Sequence, residues 1–269
     1  MTPQSSIAAS GYRPRPWRPA PLVGASLLVH AACVAAFVAD PAGWPWLLAT
    51  LAANHLLLTA AVFWPRARLL GPNVNRLPDA AARRREVALT FDDGPDPEIT
   101  PRILELLDRH HAKASFFCVG QKAAAHPAIV REIVRRGHSV ENHSYRHSYA
   151  FACFGVARMS REIDLAQQVV SGITGRAPSF FRAPAGFRSP LLDFVLARRG
   201  LQYVSWTRRG FDTARSDRGR VLALLTRGLA AGDVLLLHDS SPVVLEVLPA
   251  LLDALAARGL NSVALPSAL

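Results

Sequence analysis

The stretch EVALTFDDGP, residues 86–95, decides the fold, because an apolar β-type run ends there in two adjacent aspartates and a Gly-Pro pair. Asp-Gly and Gly-Pro pairs are ordinary turn formers, so the DDGP quartet alone is equally consistent with a plain turn and with a functional site. The rest of the chain has to decide between these two interpretations.

Seven short β-type runs and six helical patterns alternate from residue 86 onward. The β-type runs are 86–91, 114–120, 138–142, 179–183, 202–206, 233–239 and 261–265. The helical patterns are 100–110, 127–136, 159–174, 190–199, 217–231 and 242–258. This alternation predicts an α/β fold with a parallel sheet, which we expect to form a closed or nearly closed βα barrel, with an open doubly wound sheet as the alternative. No glycine-rich phosphate loop follows the first strand, so nucleotide binding has little support.

Two uncharged apolar runs, 22–39 and 46–64, precede the alternating region. Each is near the length that spans a bilayer, and a short connector containing Pro and Gly separates them. The predicted organisation is a basic tail at 1–20, a transmembrane helical hairpin at 21–64, a basic linker at 65–85 and a β/α domain at 86–269. Within the hairpin, His30, Asn54 and His55 are polar groups that we expect to face the partner helix.

The net charge of +11 is concentrated around the apolar runs, because nine arginines and only two acids precede Glu86. Anionic lipid headgroups and the positive-inside rule both account for such a collar, so the bilayer is the predicted partner and a nucleic acid is not needed. The arginines flank the hairpin on its outer sides, at 13, 15, 18, 66, 68 and 76, and the connector has none. We therefore predict that the C-terminal domain is cytoplasmic.

The alternative to this topology is that the first apolar run is a signal peptide. Phe37 and Ala39 before Asp40 make a poor small-x-small cleavage site, which favours the hairpin. The three cysteines form neither a disulfide framework nor a CxxC pattern, and we expect them to be packed thiols.

Polar side chains recur where the predicted strands end, and we expect them to share one rim of the barrel. They are Asp92 and Asp93 after the first strand, His143 after the third, Arg182 at the end of the fourth, Asp212 six residues beyond Trp206 of the fifth, and His238 at the end of the sixth. Scattered surface residues would not be expected to follow strand ends in this way.

His143 and His147 are four residues apart in NHSYRHS, a spacing that allows both imidazoles to bind one metal ion on a helical turn. Two unrelated loop histidines are the alternative, which the neighbouring aspartate pair disfavours. Two nitrogens and one carboxylate oxygen suit a hydrolytic zinc ion with an open position. One aspartate of the pair would then bind the ion, and the other would accept a proton from the attacking water.

Five ordered motifs in these residues resemble those of the polysaccharide deacetylases, carbohydrate esterase family four, which contain the NodB homology domain. They are TFDDGP (90–95), HSYRH (143–147), RAPAG (182–186), Trp206 with Asp212, and LLLHD (235–239). The resemblance covers about Glu86 to Leu265, and the hairpin lies outside it. It implies a distorted (β/α) barrel of about seven strands.

The resemblance also implies a role for each residue of the site. Asp92 would be the catalytic base, oriented by Arg182, and His238 the general acid, positioned by Asp212. The metal ligands would be Asp93, His143 and His147; the Ala185 amide would stabilise the oxyanion, and Trp206 would belong to the substrate site. The implied reaction is hydrolysis of the N-acetyl or N-formyl group of an amino-sugar glycan. An inactive sugar-binding or membrane-assembly protein that keeps the barrel is the alternative.

The sequence departs from the family pattern at three positions around the expected substrate groove. Ala185 stands where many relatives have an aromatic residue, and Arg209 and Thr213 stand where they have Asp and Trp. These changes affect the groove walls rather than the metal. The pair Arg208 and Arg209 is interpreted as a solvated basic pair, with contact to a substrate phosphate as the alternative.

The remaining candidates are given structural roles. His110, His111, His126 and His138 are expected at the surface or at helix ends, since none follows a strand at the predicted rim. Asp239 is expected to cap the helix after His238.

Overall fold

The computed structural model describes residues 15–214 and 217–266. Residues 1–14 of the predicted basic tail, with Arg13, and residues 267–269 of the predicted domain lie outside this part.

The centre of the described chain is one curled parallel sheet. Its strands are β1 (Glu86–Asp92), β2 (Ser115–Cys118), β3 (Ser139–Asn142), β4 (Phe180–Phe181), β5 (Gln202–Tyr203), β6 (Arg208–Arg209), β7 (Val234–His238) and β8 (Asn261–Val263). The order across the sheet is β5-β4-β3-β2-β1-β7-β6, and β8 pairs with β1. Each strand pair within it is parallel. The prediction of an α/β fold with a distorted barrel of about seven parallel strands is therefore confirmed, and the two-residue strand β6 is an addition to it.

The interior of β1 is apolar except for Thr90, because this strand is central and covered on both sides. Val87, Ala88, Leu89 and Phe91 have no exposed surface. The ring of Phe91 stacks on Phe116 of β2 at 5.0 Å between centroids. Parallel strands that are buried on both faces typically have near-continuous hydrophobic sequences, and residues 87–91 follow this pattern.

Helices surround the sheet and account for every helical pattern in the domain. They are α3 (Asp79–Arg83), α4 (Ile99–Arg109), α5 (Gly120–Ala125), α6 (Pro127–Arg135), α7 (Val156–Thr174), α8 (Leu192–Ala197), α9 (Arg218–Thr226) and α10 (Val243–Ala257). The predicted helix at 190–199 is shortened to six residues, and α9 ends at Thr226 rather than near 231. Helices α3 and α5 were not predicted, because each is too short to show a periodic apolar stripe.

The segment predicted as a linker is packed into the barrel. Val74 N donates to Tyr203 O at 2.9 Å, and Ser205 N donates to Val74 O at 3.0 Å. Three residues later, Leu77 N donates to Gly232 O at 2.8 Å, just before β7. Residues 74–77, here named the closing segment, therefore join the β5 side of the sheet to the β7 side.

The N-terminal apolar runs form two antiparallel helices, α1 (Pro21–Ala39) and α2 (Trp44–Val62), joined by a short 3-10 turn. As predicted, the polar side chains between them contact the partner helix. Asn54 Nδ2 donates to Ser26 Oγ at 2.9 Å, and the rings of His30 and His55 lie 5.2 Å apart. Both helices are long and apolar enough to cross a bilayer, and only 11% and 6% of their most apolar windows are buried.

The base of this hairpin is docked on the barrel. The ring of Phe63, just after α2, lies 4.9 Å from that of Phe187 in an edge-on arrangement. On the other side, Trp17 packs edge-on against Phe194 of α8, with 5.3 Å between ring centroids. These contacts fix both ends of the hairpin to the same side of the domain.

Candidate active site

The carboxyl ends of neighbouring strands bring the predicted side chains to one rim. Asp92 at the end of β1 is directly opposite His238 at the end of β7. His143 follows β3, where its backbone N–H bonds to Cys118 O of β2 at 3.1 Å. Arg182 follows β4 and is held in the same way, by a 3.1 Å bond from its N–H to Asn142 O. The continuation of the sheet hydrogen bonding beyond the strands thus places each side chain.

Gly94 is required in the DDGP turn by the close approach of a second loop. A Cβ atom at this position would lie 1.9 Å from Oδ2 of Asp239. Asp239 is buried, and its Oδ2 accepts a 2.7 Å hydrogen bond from Thr100 Oγ1. Burial raises the pKa of Asp239 to about 7. The prediction that Asp239 caps the following helix is therefore wrong, since its carboxylate points towards α4 instead.

Asp93, His143 and His147 form a compact set of metal-ligand atoms, which all lie within 4.8 Å of one another. Asp93 Oδ1 is 3.3 Å from His143 Nε2 and 3.1 Å from His147 Nε2. Asp93 takes up a positive φ of 75°, and its carboxylate and that of Asp92 both lie within 4 Å of His143 Nε2. Two imidazole nitrogens and one carboxylate oxygen are a donor set that suits zinc, with positions left for other ligands.

The orientation of His143 is fixed by the strand beside it. Its Nδ1 lies 2.8 Å from the carbonyl oxygen of Arg182, so Nδ1 carries the proton and Nε2 faces the other ligands. Burial opposes charge on Asp93, but the hydrogen bonds and charges of His143 and His147 lower the pKa of this carboxyl below its usual range. The ligand set therefore favours an ionised carboxylate.

The Asp92 carboxylate is held on one side only. Its Oδ1 accepts a 2.5 Å hydrogen bond from Nη1 of the fully buried Arg182. The other donors of Arg182 are taken by Thr90 Oγ1 at 3.0 Å, Val204 O at 3.2 Å and Ser205 O at 3.0 Å. Asp92 Oδ2 lies 3.7 Å from His143 Nε2, on the side of the metal ligands.

His238 and Asp212 form a buried pair across the rim from the metal ligands. His238 Nδ1 lies 2.9 Å from Asp212 Oδ1, and its backbone N–H donates to Asp212 Oδ2 at 2.8 Å. Ser241 Oγ donates to Asp212 O at 2.8 Å, which anchors this loop in turn. Burial disfavours the imidazolium, but the bonded Asp212 carboxylate raises the pKa of His238. The ring nitrogen Nε2 is left for a substrate.

A cleft of about 280 Å³ opens between the two groups. Its walls include Asp92, Asp93 and His238 together with Ala185, Trp206 and Arg209. Ala185 has a φ of 55° within the RAPAG turn, a left-handed conformation that is uncommon for a residue with a Cβ. The nine residues predicted for the site are thus brought together around one cleft.

Several contacts of the site were not predicted. Tyr149 lines the cleft beside His147, and its ring stands edge-on to the imidazole at 5.6 Å. Thr90, which bonds both Arg182 and Leu235 O, was quoted only as part of a motif. The sequence could have indicated Thr90, because it is a polar residue within an otherwise apolar strand. A single tyrosine in a loop, such as Tyr149, has no feature in the sequence that marks it as part of a site.

Two structural interpretations from the sequence need correction, and a third is refined. His138 lies at the end of α6, one of its two predicted positions, but it is buried there, and its Nδ1 accepts a 3.2 Å hydrogen bond from Ala114 N. Cys153 is exposed, although Cys33 and Cys118 are packed as expected. The Arg208 and Arg209 pair is not a pair of solvated side chains, since both are partly buried.

Comparison with known proteins places the barrel among carbohydrate deacetylases. The family model described as Polysaccharide deacetylase matches residues 79–204. A chitooligosaccharide deacetylase of Bradyrhizobium sp. is 32% identical over 158 residues, which cover 59% of this chain and 72% of the relative. A peptidoglycan-N-acetylglucosamine deacetylase of Bacillus cereus is 31% identical over 160 residues, which cover 57% of this chain and 72% of the relative.

A solved structure supports the same relationship. The family 4 carbohydrate esterase from Streptomyces lividans, in complex with acetate, is 36% identical and superimposes with a TM-score of 0.63. The match covers 66% of this chain and 91% of that chain.

Proposed function

Because this chain belongs to the polysaccharide deacetylase family, we propose that it is a membrane-anchored, zinc-dependent hydrolase that removes an N-acetyl or other N-acyl group from an amino sugar. Its relatives are named deacetylases, so the chain is a carbohydrate deacetylase. The substrate class is an amino-sugar glycan, as a polysaccharide, an oligosaccharide or a lipid-linked sugar. One observation carries the proposal: a metal-ligand triad and a buried His-Asp pair flank the same cleft.

The residues present fit a zinc ion, which Asp93, His143 and His147 would hold. Their ligand atoms converge, and the His143 tautomer is set by Arg182 O. Bound there, zinc would lower the pKa of a coordinated water to about 7 and polarise the substrate carbonyl.

Asp92 is proposed as the general base. Arg182 binds only Oδ1, so Oδ2 remains available for the proton of the attacking water. The buried Arg182 guanidinium thereby fixes the orientation of the Asp92 carboxylate. As the water oxygen bonds to the acyl carbon, the Ala185 N–H would donate to the carbonyl oxygen while that oxygen gains charge.

His238 is proposed as the general acid. Its Nε2 would donate a proton to the amide nitrogen as the C–N bond breaks, which releases the free amine and the carboxylate. Asp212 keeps Nδ1 protonated and stabilises the imidazolium before this transfer. Trp206 would provide an apolar wall for the sugar ring, since its side chain borders the cleft.

Membrane anchoring is supported by the exposure of the apolar helices. Leu28 and Trp46 are 73% and 79% exposed, so the hairpin is not covered by the barrel as a core helix would be. A bilayer would cover these side chains. The bacterial inner membrane is the proposed location, with the barrel on the cytoplasmic side as the arginine distribution predicts.

Two variants of the full chain separate metal binding from chemistry. We expect His143→Ala to lose most of its bound metal, because one of three ligands is gone, and Asp92→Asn to keep its metal while kcat falls by about 10²- to 10⁴-fold. Metal analysis and amine release from N-acetylglucosamine oligomers are the measurements.

The control is His110→Ala, at the exposed end of α4, which should retain both its bound metal and its turnover. A wild type without a bound divalent ion, or an Asp92→Asn protein with full turnover, would contradict the proposed mechanism.

A further inference from the structure

Arg209 is a cation of the cleft that, unlike its neighbour Arg208, has no hydrogen-bonded or ion-paired protein partner among the described residues. Successive residues of a strand point to opposite faces, and β6 separates the two arginines accordingly. Arg208 Nε bonds to Asp233 Oδ2 at 2.5 Å, and its other nitrogens contact the carbonyls of Arg227 and Gly228. Arg208 is therefore fully used in holding the barrel together.

The guanidinium of Arg209 lies over two aromatic rings. Its Cζ lies 5.2 Å from the Trp206 ring and 4.9 Å from the Phe211 ring. Its Nε is buried without a hydrogen-bond partner, and within residues 15–214 and 217–266 no carboxylate pairs with it. The acids of the cleft are committed elsewhere, Asp92 to Arg182 and Asp93 to the histidines.

An unpaired arginine held between rings is suited to an anionic oxygen on the substrate. The planar guanidinium binds phosphate or carboxylate through two parallel hydrogen bonds, and a partly desolvated site strengthens them. A neutral sugar would leave the buried Nε unsatisfied, which costs free energy. The cleft therefore favours an amino sugar that carries negative charge.

The same wall of the cleft is built on the base of the hairpin. A Cβ on Gly186 would lie 2.5 Å from Trp206 Cη2 and 3.4 Å from the Cβ of Pro65, three residues beyond the end of α2. Arg66 Nη1 donates to Thr207 O at 3.2 Å, directly after Trp206. The wall that carries Arg209 is thus fixed to the point where the chain leaves the proposed bilayer.

We infer that the substrate is a membrane-borne N-acyl amino sugar joined to its lipid through phosphate, and that Arg209 binds this phosphate. The inference rests on the proposed function, because it concerns the same amide hydrolysis and the same anchor. The phosphate is bound and not transferred. A cleft wall tethered to the membrane surface favours a lipid phosphate over a soluble anion, since both the anion and the anchor then lie at the headgroups.

Three substrates and two variants test this inference on the full chain in detergent micelles. The substrates are polyprenyl-phosphate-linked N-acetylglucosamine, soluble N-acetylglucosamine 1-phosphate and a neutral N-acetylglucosamine tetramer. We expect Arg209→Gln to lower the ratio of kcat/KM for the lipid phosphate to that for the tetramer by about 10- to 100-fold, mainly through KM. Arg209→Lys should retain part of the preference, since it keeps the charge.

The control variant is Arg131→Gln, an exposed arginine on α6, which should leave the ratio unchanged. Thermal unfolding of each variant identifies any that fails to fold, and Arg209→Lys then provides the comparison. An unchanged ratio overturns the inference, as does equal use of the soluble and lipid phosphates.

Failure of the inference is distinguishable from failure of the proposed function. Turnover of the tetramer with no turnover of the lipid phosphate overturns the inference and leaves the deacetylase intact. Absence of turnover on all three substrates by metal-loaded protein overturns both.

Discussion

At the level of single residues, the proposed base Asp92 and the proposed acid His238 differ in the side chain that each one contacts. Asp92 contacts the Arg182 guanidinium, whereas Asp212 contacts the His238 imidazole and raises its pKa. This difference yields a pH profile that can be measured.

We expect Asp212→Asn to move the alkaline limb of the kcat/KM profile to lower pH. Asp212 raises the pKa of His238, and the acid works only when protonated, so activity is lost as pH rises through that pKa. Without the carboxylate the pKa falls and the loss begins earlier, with kcat lower by about 10²-fold. Asp253→Asn, an exposed carboxylate on α10, is the control and should leave the limb in place. If the alkaline limb of Asp212→Asn does not shift, the loss of activity at high pH is due to a group other than His238.

The nine predicted site residues could be placed from the sequence because each follows a strand or stands in a recognisable motif. Their partners could not be placed in the same way. Arg182 bonds the carbonyls of Val204 and Ser205, and every residue carries such a carbonyl, so no sequence pattern marks them. Asp239 was misassigned for a related reason, since its partner Thr100 is 139 residues away in the chain.

Among the elements, the loops after β1 and β7 depend on each other through one glycine. Gly94 leaves room for the Asp239 carboxylate, and the two residues adjoin Asp93 and His238. A shift of either loop therefore moves Asp93, the proposed metal ligand, and His238, the proposed general acid, together.

We expect Gly94→Ala to reduce the free energy of unfolding by about 1–3 kcal/mol, because the new Cβ overlaps a buried carboxylate. Turnover should fall as well, since both loops carry site residues. Gly172→Ala on the exposed side of α7, where a Cβ meets no atom within 4 Å, is the matched control. That change should be neutral or stabilising by about 0.5–1 kcal/mol. Denaturant unfolding of both variants provides the comparison, and equal stabilities would refute the packing role.

The long elements were predictable and the short ones were not. Strands β1 and β7 have seven and five residues, and most of their side chains are apolar. Strand β6 consists of two arginines, and the closing segment makes only isolated backbone pairs. Such pieces are held by the neighbours they bond to, and their own composition does not favour a strand.

At the scale of the whole molecule, the orientation of the hairpin in a membrane would determine the side on which the barrel lies. The arginines on the outer sides of the hairpin predict, by the positive-inside rule, that the barrel faces the cytoplasm. The barrel would then act on substrate at the inner leaflet.

We expect a reporter that is active only outside the cytoplasm to give no signal when it is fused after Leu269. The same reporter fused after Gly43, in the connector between α1 and α2, should be active and serves as the control. Enzyme activity of the two fusions in intact cells is the measurement. A strong signal from the C-terminal fusion would place the barrel on the opposite side.

The closing segment also limits how anchors of this kind can be exchanged between proteins. A joint at Glu86, where the first long strand begins, would discard residues 74–77 and leave Tyr203 O and Gly232 O without their donors. A fusion point just before Asn73 would keep the backbone hydrogen bonds of residues 74–77. It would remove the carbonyls of Pro65 and Ala67, to which the Asn73 side chain donates. An exchange that preserves these hydrogen bonds therefore has to cut before Pro65, so residues 65–85 have to stay with the barrel whichever N-terminal segment precedes them.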